Sequence, residues 1–528
     1  MKRPAALLLL LFLTALFLPL MFSCKKKGED VEEGVLHFNI STEPPTLDWS
    51  IATDHASIRV LTNIMEGLTR FDEDLVPRPA LAESWEVKDN GSRYIFHIRE
   101  DANWTDGRPV TAHDFVYSWR RLLDPETAGE YAYFIYMIKN AEAINSGEIK
   151  DPAKLGARAI DDKTLEVELT RPVVFFPMIT TFICTFPMRR DAVEKHGDEW
   201  TRPGNIITCG PYRLTEWWHE YRITIERDPG YHAAPAGLDK VVFYMVVEDS
   251  TALSLYQTGD LDVVHPLSPA AIPSYDDSPE YVNYPYFACY YYGFNVTKPP
   301  VDDPLVRAAL ASAVDRSQLP NILNGHQIPN PTVIPAGMKD ANMDLGHRFD
   351  PGRAKKLLKD AGYDDPSELP IITIAYNTQE SHKTIAEFVQ QQWKDNLGIN
   401  VELRNMEWKV YLKELQHDPP HVWRLGWILD YPDPDAIMTV YLSNSGNNHT
   451  RWKSAEYDRM VLAASVETDP EKRKELYDSA QKLLCKKDTA VMPLYTYTIN
   501  MLVKPWVKDF PENGLDLLDL RDTKVVKP

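Results

Sequence analysis

Residues 421–438 read HVWRLGWILDYPDPDAIM, an apolar run carrying an arginine and an aspartate at fixed points beside tryptophan and tyrosine. Read as a strand, the run sends even-numbered residues to one face, so Arg424, Gly426, Ile428 and Asp430 point together. A cation and an anion at this spacing stand about 20 Å apart at ~3.3 Å per residue. The inward reach of their side chains shortens that gap toward the length of a short extended peptide, whose ends carry an ammonium and a carboxylate. The pattern implies capture of a zwitterionic, strand-like ligand rather than chemistry upon it.

The N-terminus reads as an export address. Lys2 and Arg3 form a positive start, residues 5–22 are apolar, and Ser23 precedes Cys24. A cysteine at this place is similar to a lipoprotein cleavage site, where the thiol is acylated and becomes the new N-terminus. An ordinary signal peptide and an uncleaved anchor helix are the alternatives. Residues 25–30, KKKGED, form a polar tether, and no later stretch approaches the ~18 apolar residues of a membrane span. The expected mature protein is exported and lipid-anchored in the bacterial cell envelope.

The formal charge is −20 over 528 residues, which argues against nucleic acid or anionic lipid as a partner over most of the surface. Besides Cys24 there are Cys184, Cys209, Cys289 and Cys485, too scattered for a disulfide scaffold. One bridge between Cys184 and Cys209 is permissible in an exported protein, but spacing does not establish it. No cysteine–histidine cluster calls for a metal, and no cofactor is expected.

Strand-like alternation marks residues 94–100, 163–170, 221–228 and 240–249. Helices dominate later. In DPGRAKKLLKDAGY, Asp350 suits the N-cap and Pro351 the first helical position, with Ala354, Leu357, Leu358 and Ala361 as the apolar face. TDPEKRKELYDSAQKLL repeats the device from Asp469, burying Leu476, Ala480, Leu483 and Leu484. Between them a helix ending near Leu397 and Gly398 runs into INVELRN, a helix–turn–strand order typical of an α/β lobe. Two lobes are expected, a β-rich one followed by a more helical one. The run PLYTYTINMLVKPWV, residues 493–507, returns to the first.

Several segments resemble the extracellular solute-binding proteins of peptide ABC importers, family 5, and within it the oligopeptide-binding branch. These are residues 81–125 (LAESWEVKDNGSRYIFHIREDANWTDGRPVTAHDFVYSWRRLLDP), TLDWS at 46–50, EKHGDEWTRPGNIITCGPYRLTEW, ACYYYGFNVTKPP, DNLGINVELRNMEWKVYL, GWILDYPDP and LVKPWV. The resemblance spans nearly the whole mature chain. It implies an α/β, two-lobed, three-subdomain periplasmic-binding-protein-like fold with a hinge and a buried interlobe ligand cleft. Mapped here, residues 1–23 are the signal and 24–35 the tether. Residues 36–65, 191–288 and 498–528 form the hinge-proximal subdomain of the first lobe, residues 66–190 its second subdomain, and residues 289–497 the second lobe.

The same resemblance assigns roles. Asp430 pairs with the peptide's N-terminal ammonium, while Arg424 and His382 meet its C-terminal carboxylate. Gly426 and Ile428 pair with the ligand backbone, and Thr53 and His55 lie along its other edge. Tyr131, Trp408, Trp427 and Tyr497 line pockets. Backbone pairing grips any extended peptide, and wet aromatic pockets tolerate many side chains, so the ligand's ends set register and length. The implied partners are short peptides, of about three to five residues at ~3.3 Å each, and the transmembrane subunits of an ABC permease; the protein itself is expected to be a monomer. The chain also departs from the pattern. Asn324 replaces a lysine used for very short peptides, Gly293 replaces a glutamate beside the tyrosine run, and Ile428 with an offset Cys289 removes a disulfide.

Taken singly, each residue has a plainer reading. Asp430, Asp433 and Asp435 read as turn or cap residues, Trp408 and Trp427 as core, Arg424 as a structural ion pair and His382 as a surface histidine. Joint placement on matching segments favours the site. No GxSxG, HExxH or P-loop pattern occurs, so no enzymatic activity is expected. A surface lipoprotein of the same fold acting as an adhesin or peptide-signal receptor, or binding a non-peptide solute, is the alternative.

Overall fold

A computed structural model describes residues 32–526; Cys24, the signal and most of the tether lie outside the described residues. The architecture hangs on two long antiparallel strands, Tyr281–Phe294 and Val491–Val503. At ~3.3 Å per residue each is about 45 Å long, enough to leave one lobe and enter the other. Residues 281–285 pair with 498–502, and residues 289–293 with 491–496, across a register break after Pro285.

Around this pair an eleven-stranded sheet spreads as two wings. On one side Val263 pairs with Val503, and the order continues through Val35–Asn39, Lys240–Tyr244, Arg222–Arg227 and Tyr212–Trp218. On the other, Val422–Ile428 pairs with residues 288–294, followed by Ile372–Asn377 and Val401–Met406. The wings share only the crossover strands. The fold is therefore two-lobed α/β, with more than one segment crossing between lobes, as a hinge requires.

The first lobe also holds a four-stranded antiparallel sheet in the order Ala82–Lys88, Arg93–Ile98, Thr164–Glu168, Ala157–Ala159. Its core joins Phe38, Trp49, Trp119 and Phe176. In the second lobe strand alternation splits the core. Tyr290, Tyr292 and Phe294 pack on one face of the wing and Cys289, Tyr291 and Trp423 on the other. Burying both faces explains why this segment reads as a continuous aromatic run.

Local signals in the sequence are realised. Asp350 caps the helix Pro351–Asp360 by accepting the Arg353 N–H at 2.9 Å. Asp469 caps Pro470–Lys482 through the N–H groups of Glu471 and Lys472. Gly398, at φ 78°, ends Glu380–Leu397 in the left-handed region and turns the chain into Val401–Met406. Leu357, Ala361 and Leu476 are only partly buried, and Tyr477, absent from the expected face, is buried instead. The strand begun at Lys240 stops at Tyr244, and residues from Asp249 enter a helix.

Cys184, Cys209, Cys289 and Cys485 are buried free thiols, so the permissible Cys184–Cys209 bridge is not formed. Ala288 stands opposite Ile428, and Cys289 opposite Trp427. Gly293 lies directly against Trp423. A Cβ there would lie 2.1 Å from the Trp423 ring, so the glycine is the space that tryptophan occupies. Among the described residues no helix is long and apolar enough to cross a membrane.

Candidate functional site

The strand Val422–Ile428 sets the site. The His421 carbonyl accepts from Asn295, and the Leu429 N–H donates to the Phe287 carbonyl at 2.9 Å, so odd residues bond toward the crossover strand. Even residues turn their backbone to the opposite edge. There the Arg424 N–H donates to the Tyr411 hydroxyl at 2.8 Å, and that hydroxyl donates to the Arg424 carbonyl at 2.6 Å. Strand Ile372–Asn377 covers this edge only at Val422 and Trp423. Gly426 and Ile428 therefore present their backbones past the end of the neighbouring ladder, the arrangement an added strand needs. A Cβ on Gly426 would crowd the Tyr497 hydroxyl at 3.2 Å.

Arg424 is 8% exposed. Its Nη1 donates to Asn377 Oδ1 at 3.1 Å, its Nη2 to the Tyr497 hydroxyl at 3.2 Å, and its guanidinium lies 4.7 Å from the Tyr290 ring centre. Its Nε has no partner, and no ion pair engages it among the described residues. His382, in the first turn of Glu380–Leu397, stands 5.6 Å from the Tyr290 ring with its Nδ1 unpartnered. Burial, then the Arg424 charge, push its pKa down to about 3. His382 is thus a neutral hydrogen-bonding group, neither a cation nor a surface residue.

Asp430 sits at the far end of the strand. Its carboxylate accepts from the Tyr133 hydroxyl at 3.4 Å, and no cation pairs with it among the described residues. Burial raises its pKa to about 6, against a small lowering from Tyr133. The plainer turn-cap reading belongs to Asp433 instead, which accepts the Asp435 N–H at 2.8 Å. Tyr131 packs on Phe182 and Tyr133, and burial followed by the Asp430 charge lifts its pKa to about 12.

The structure thus gathers Arg424, His382 and Tyr497 at one point, and Asp430 with Tyr131 at another. Trp427 is half-buried, its Nε1 donating to the Ala436 carbonyl at 2.9 Å, while Ile428 is exposed. Trp408 is 43% exposed at the start of Trp408–His417, contrary to a core reading. Thr53 and His55 are exposed on the first lobe, where Asp54 caps the helix His55–Ile64. Although part of its surface is exposed, desolvation by the protein packed around the His55 ring, then the Arg59 charge, lower its pKa. Asn324 is an exposed left-handed cap at the end of Leu319–Leu323.

Sequence reasoning missed Tyr133, Tyr411 and Asn377. The EYAYFIY run gave a signal for Tyr133, two residues beyond Tyr131 on the same short turn. Tyr411 and Asn377 carried none, because their contacts with Arg424 span long sequence separations.

A family model described as bacterial extracellular solute-binding proteins, family 5, matches residues 76–449. The periplasmic oligopeptide-binding protein OppA of Salmonella typhimurium is 36% identical over 482 residues, covering 89% of this chain and 88% of OppA. The unliganded open form of the murein tripeptide binding protein MppA superposes with a TM-score of 0.86 at 33% identity, covering 94% of this chain and 98% of that one. Haemophilus influenzae OppA in complex with the peptide RPPGFSPFR gives 0.73 at 32% identity, covering 94% and 99%. At nearly equal identity, the unliganded open form gives the better fit of these two structures.

Proposed function

Because this chain belongs to family 5 of the bacterial extracellular solute-binding proteins, we propose that it captures short extended peptides by their charged ends and delivers them to an ABC permease. One observation carries this reading. Arg424 on the strand and Asp430 just beyond its end are opposite charges without ion-pair partners among the described residues, and the backbone edge between them is uncovered. A zwitterionic peptide supplies both missing charges and a strand for the edge. Its ammonium meets Asp430, its carboxylate meets Arg424 with neutral His382 as a hydrogen-bonding neighbour, and its backbone pairs with Gly426 and Ile428. Thr53 and His55 then border it from the first lobe, and Tyr131, Trp408, Trp427 and Tyr497 wall the side-chain pockets.

Closure is a population shift toward contacts that exist only around bound peptide. The lobe boundaries follow the crossover, with residues 289–497 moving against the remainder. Cys24 is the lipid anchor that keeps the protein at the membrane where the permease receives the ligand, and the protein works as a monomer without catalysis. Mass spectrometry of small molecules co-purifying from cells is expected to find peptides of about three to five residues, matching a strand at ~3.3 Å per residue. A sugar, bile acid or metal chelate in their place overturns the assignment.

A pH dependence follows. Asp430 has a pKa of about 6 in the free protein, and an adjacent ammonium lowers it in the complex. Binding therefore favours the ionised form. Affinity is full above about pH 7 and falls by up to about tenfold per unit below pH 6, until the bound-state pKa is reached. His382, with a pKa of about 3, stays neutral through that window. Calorimetric titrations from pH 7.5 to 4.5 check this, and a flat profile contradicts it.

A further inference from the structure

Asp430 is followed by Tyr431, which alone among the described residues packs against both the first-lobe core and a second-lobe core. Its ring stacks on Phe175 with centres 5.2 Å apart at 13°, and Phe134 meets it edge-on at 6.1 Å and 79°. Both phenylalanines belong to the first-lobe core. Its hydroxyl instead faces the second lobe, donating to Asp435 Oδ2 at 3.0 Å. That aspartate is fixed in turn: it accepts from the Tyr477 hydroxyl at 3.3 Å, and its N–H donates to Asp433. Asp433 is clamped by Arg473 through two bonds of 2.7 and 2.8 Å. The turn is rigid on one side of Tyr431 and the aromatic stack holds it on the other.

The lobes are joined at the crossover and at several packed contacts: Leu75 sits in the second-lobe core with Phe71 and Leu515 against it, Arg171 donates to Ser465 Oγ, and Tyr431 seats its ring in the first-lobe core. Atoms close to such joins move least when the lobes swing. Asp430 adjoins one of them, and the first-lobe turn Glu130–Ile135, which carries Phe134, also carries Tyr133, already bonded to the Asp430 carboxylate.

We propose that Tyr431 is the positioning residue for ammonium capture, a join between the lobes that stays in place when they move. The first lobe holds its ring and the second its hydroxyl, so Asp430 keeps one location in the open and closed states. The ammonium site is preformed in the open protein, and the peptide docks amino end first, before closure brings the first lobe over its backbone. The proposal rests on the assignment of Asp430 to the peptide ammonium.

Full-length protein, its Tyr431→Phe, Tyr431→Ala and Phe175→Leu variants, and a tripeptide with and without an N-acetyl group provide the test. The readout is the affinity ratio of free to acetylated peptide, alongside thermal melting. Wild type is expected to discriminate by at least about 100-fold. Tyr431→Phe keeps the stack and loses one hydrogen bond, so its free-peptide affinity drops about fivefold and the ratio survives. Tyr431→Ala and Phe175→Leu each remove the stack, from opposite lobes, and reduce the ratio to about tenfold or less, through coupling to Asp430. If Tyr431→Ala fails to melt cooperatively, Phe175→Leu decides. A wild-type ratio preserved in the folded stack variants overturns the role of Tyr431 alone; a wild type that binds both peptides equally overturns the ammonium assignment beneath it.

Discussion

Asp430→Asn is expected to weaken binding of a free tripeptide by about 3–5 kcal/mol, roughly two to nearly four orders of magnitude, because a bound ammonium is left without its counter-charge. The amide keeps the shape of the carboxylate and can still accept from Tyr133. The effect on the ligand-free fold has the opposite sign. A carboxyl whose pKa rises from 3.8 to about 6 on folding stabilises the fold below pH 3.8 relative to neutral pH, and that contribution is lost as pH rises through 6. At pH 7 the ionised group is a cost to the empty protein. Asparagine removes that cost, so the melting temperature of the ligand-free variant stays level or rises slightly. Calorimetry and a melting curve on one sample decide the matter. Retained binding with a melting point several degrees lower would mean that Asp430 is a structural turn residue after all.

Arg424→Met is expected to have a comparable effect at the other end. The guanidinium is buried over Tyr290 and held by Asn377 and Tyr497, with no carboxylate partner among the described residues. Methionine fills much of the same space over the ring, and replacing a buried charge with a well-packed apolar side chain is often neutral or stabilising. Affinity for a free tripeptide should fall by about 3–5 kcal/mol while thermal stability holds. Amidating the peptide's C-terminus supplies the second arm. It should weaken binding to wild type severely and to Arg424→Met hardly at all, since both changes remove the same interaction. Additive losses would place the carboxylate elsewhere.

Much of this arrangement was readable from local pattern, and the misses share a cause. Period-two alternation gave Arg424 and Gly426 the same strand parity, which the backbone bonding of residues 421–429 follows, while Asp430 lies two residues past the strand's end. The caps at Asp350 and Asp469 and the turn at Gly398 are decided within a few residues, so they too were visible. Gly293 was not, because its reason is the indole of Trp423, 130 positions away in sequence and opposite it in the sheet. His382 looked like a surface histidine because helix periodicity does not show that the second-lobe core closes over it. The support of Arg424 by Tyr411 and Asn377, and the stack joining Tyr431 to Phe175, are likewise products of tertiary packing. Residue-level chemistry was legible where it depends on strand parity and illegible where it depends on which lobe comes to lie against it.

The account stands on the recognition of a free amino end by Asp430, and one titration tests that most directly. Wild-type protein is titrated at pH 7.5 with a tripeptide and then with its N-acetylated form, which is identical except that the amine can no longer be charged. The free peptide should bind at micromolar affinity or better, and the acetylated one at least about 100-fold more weakly. Equal affinities would show that the ligand's positive end is not what this protein holds.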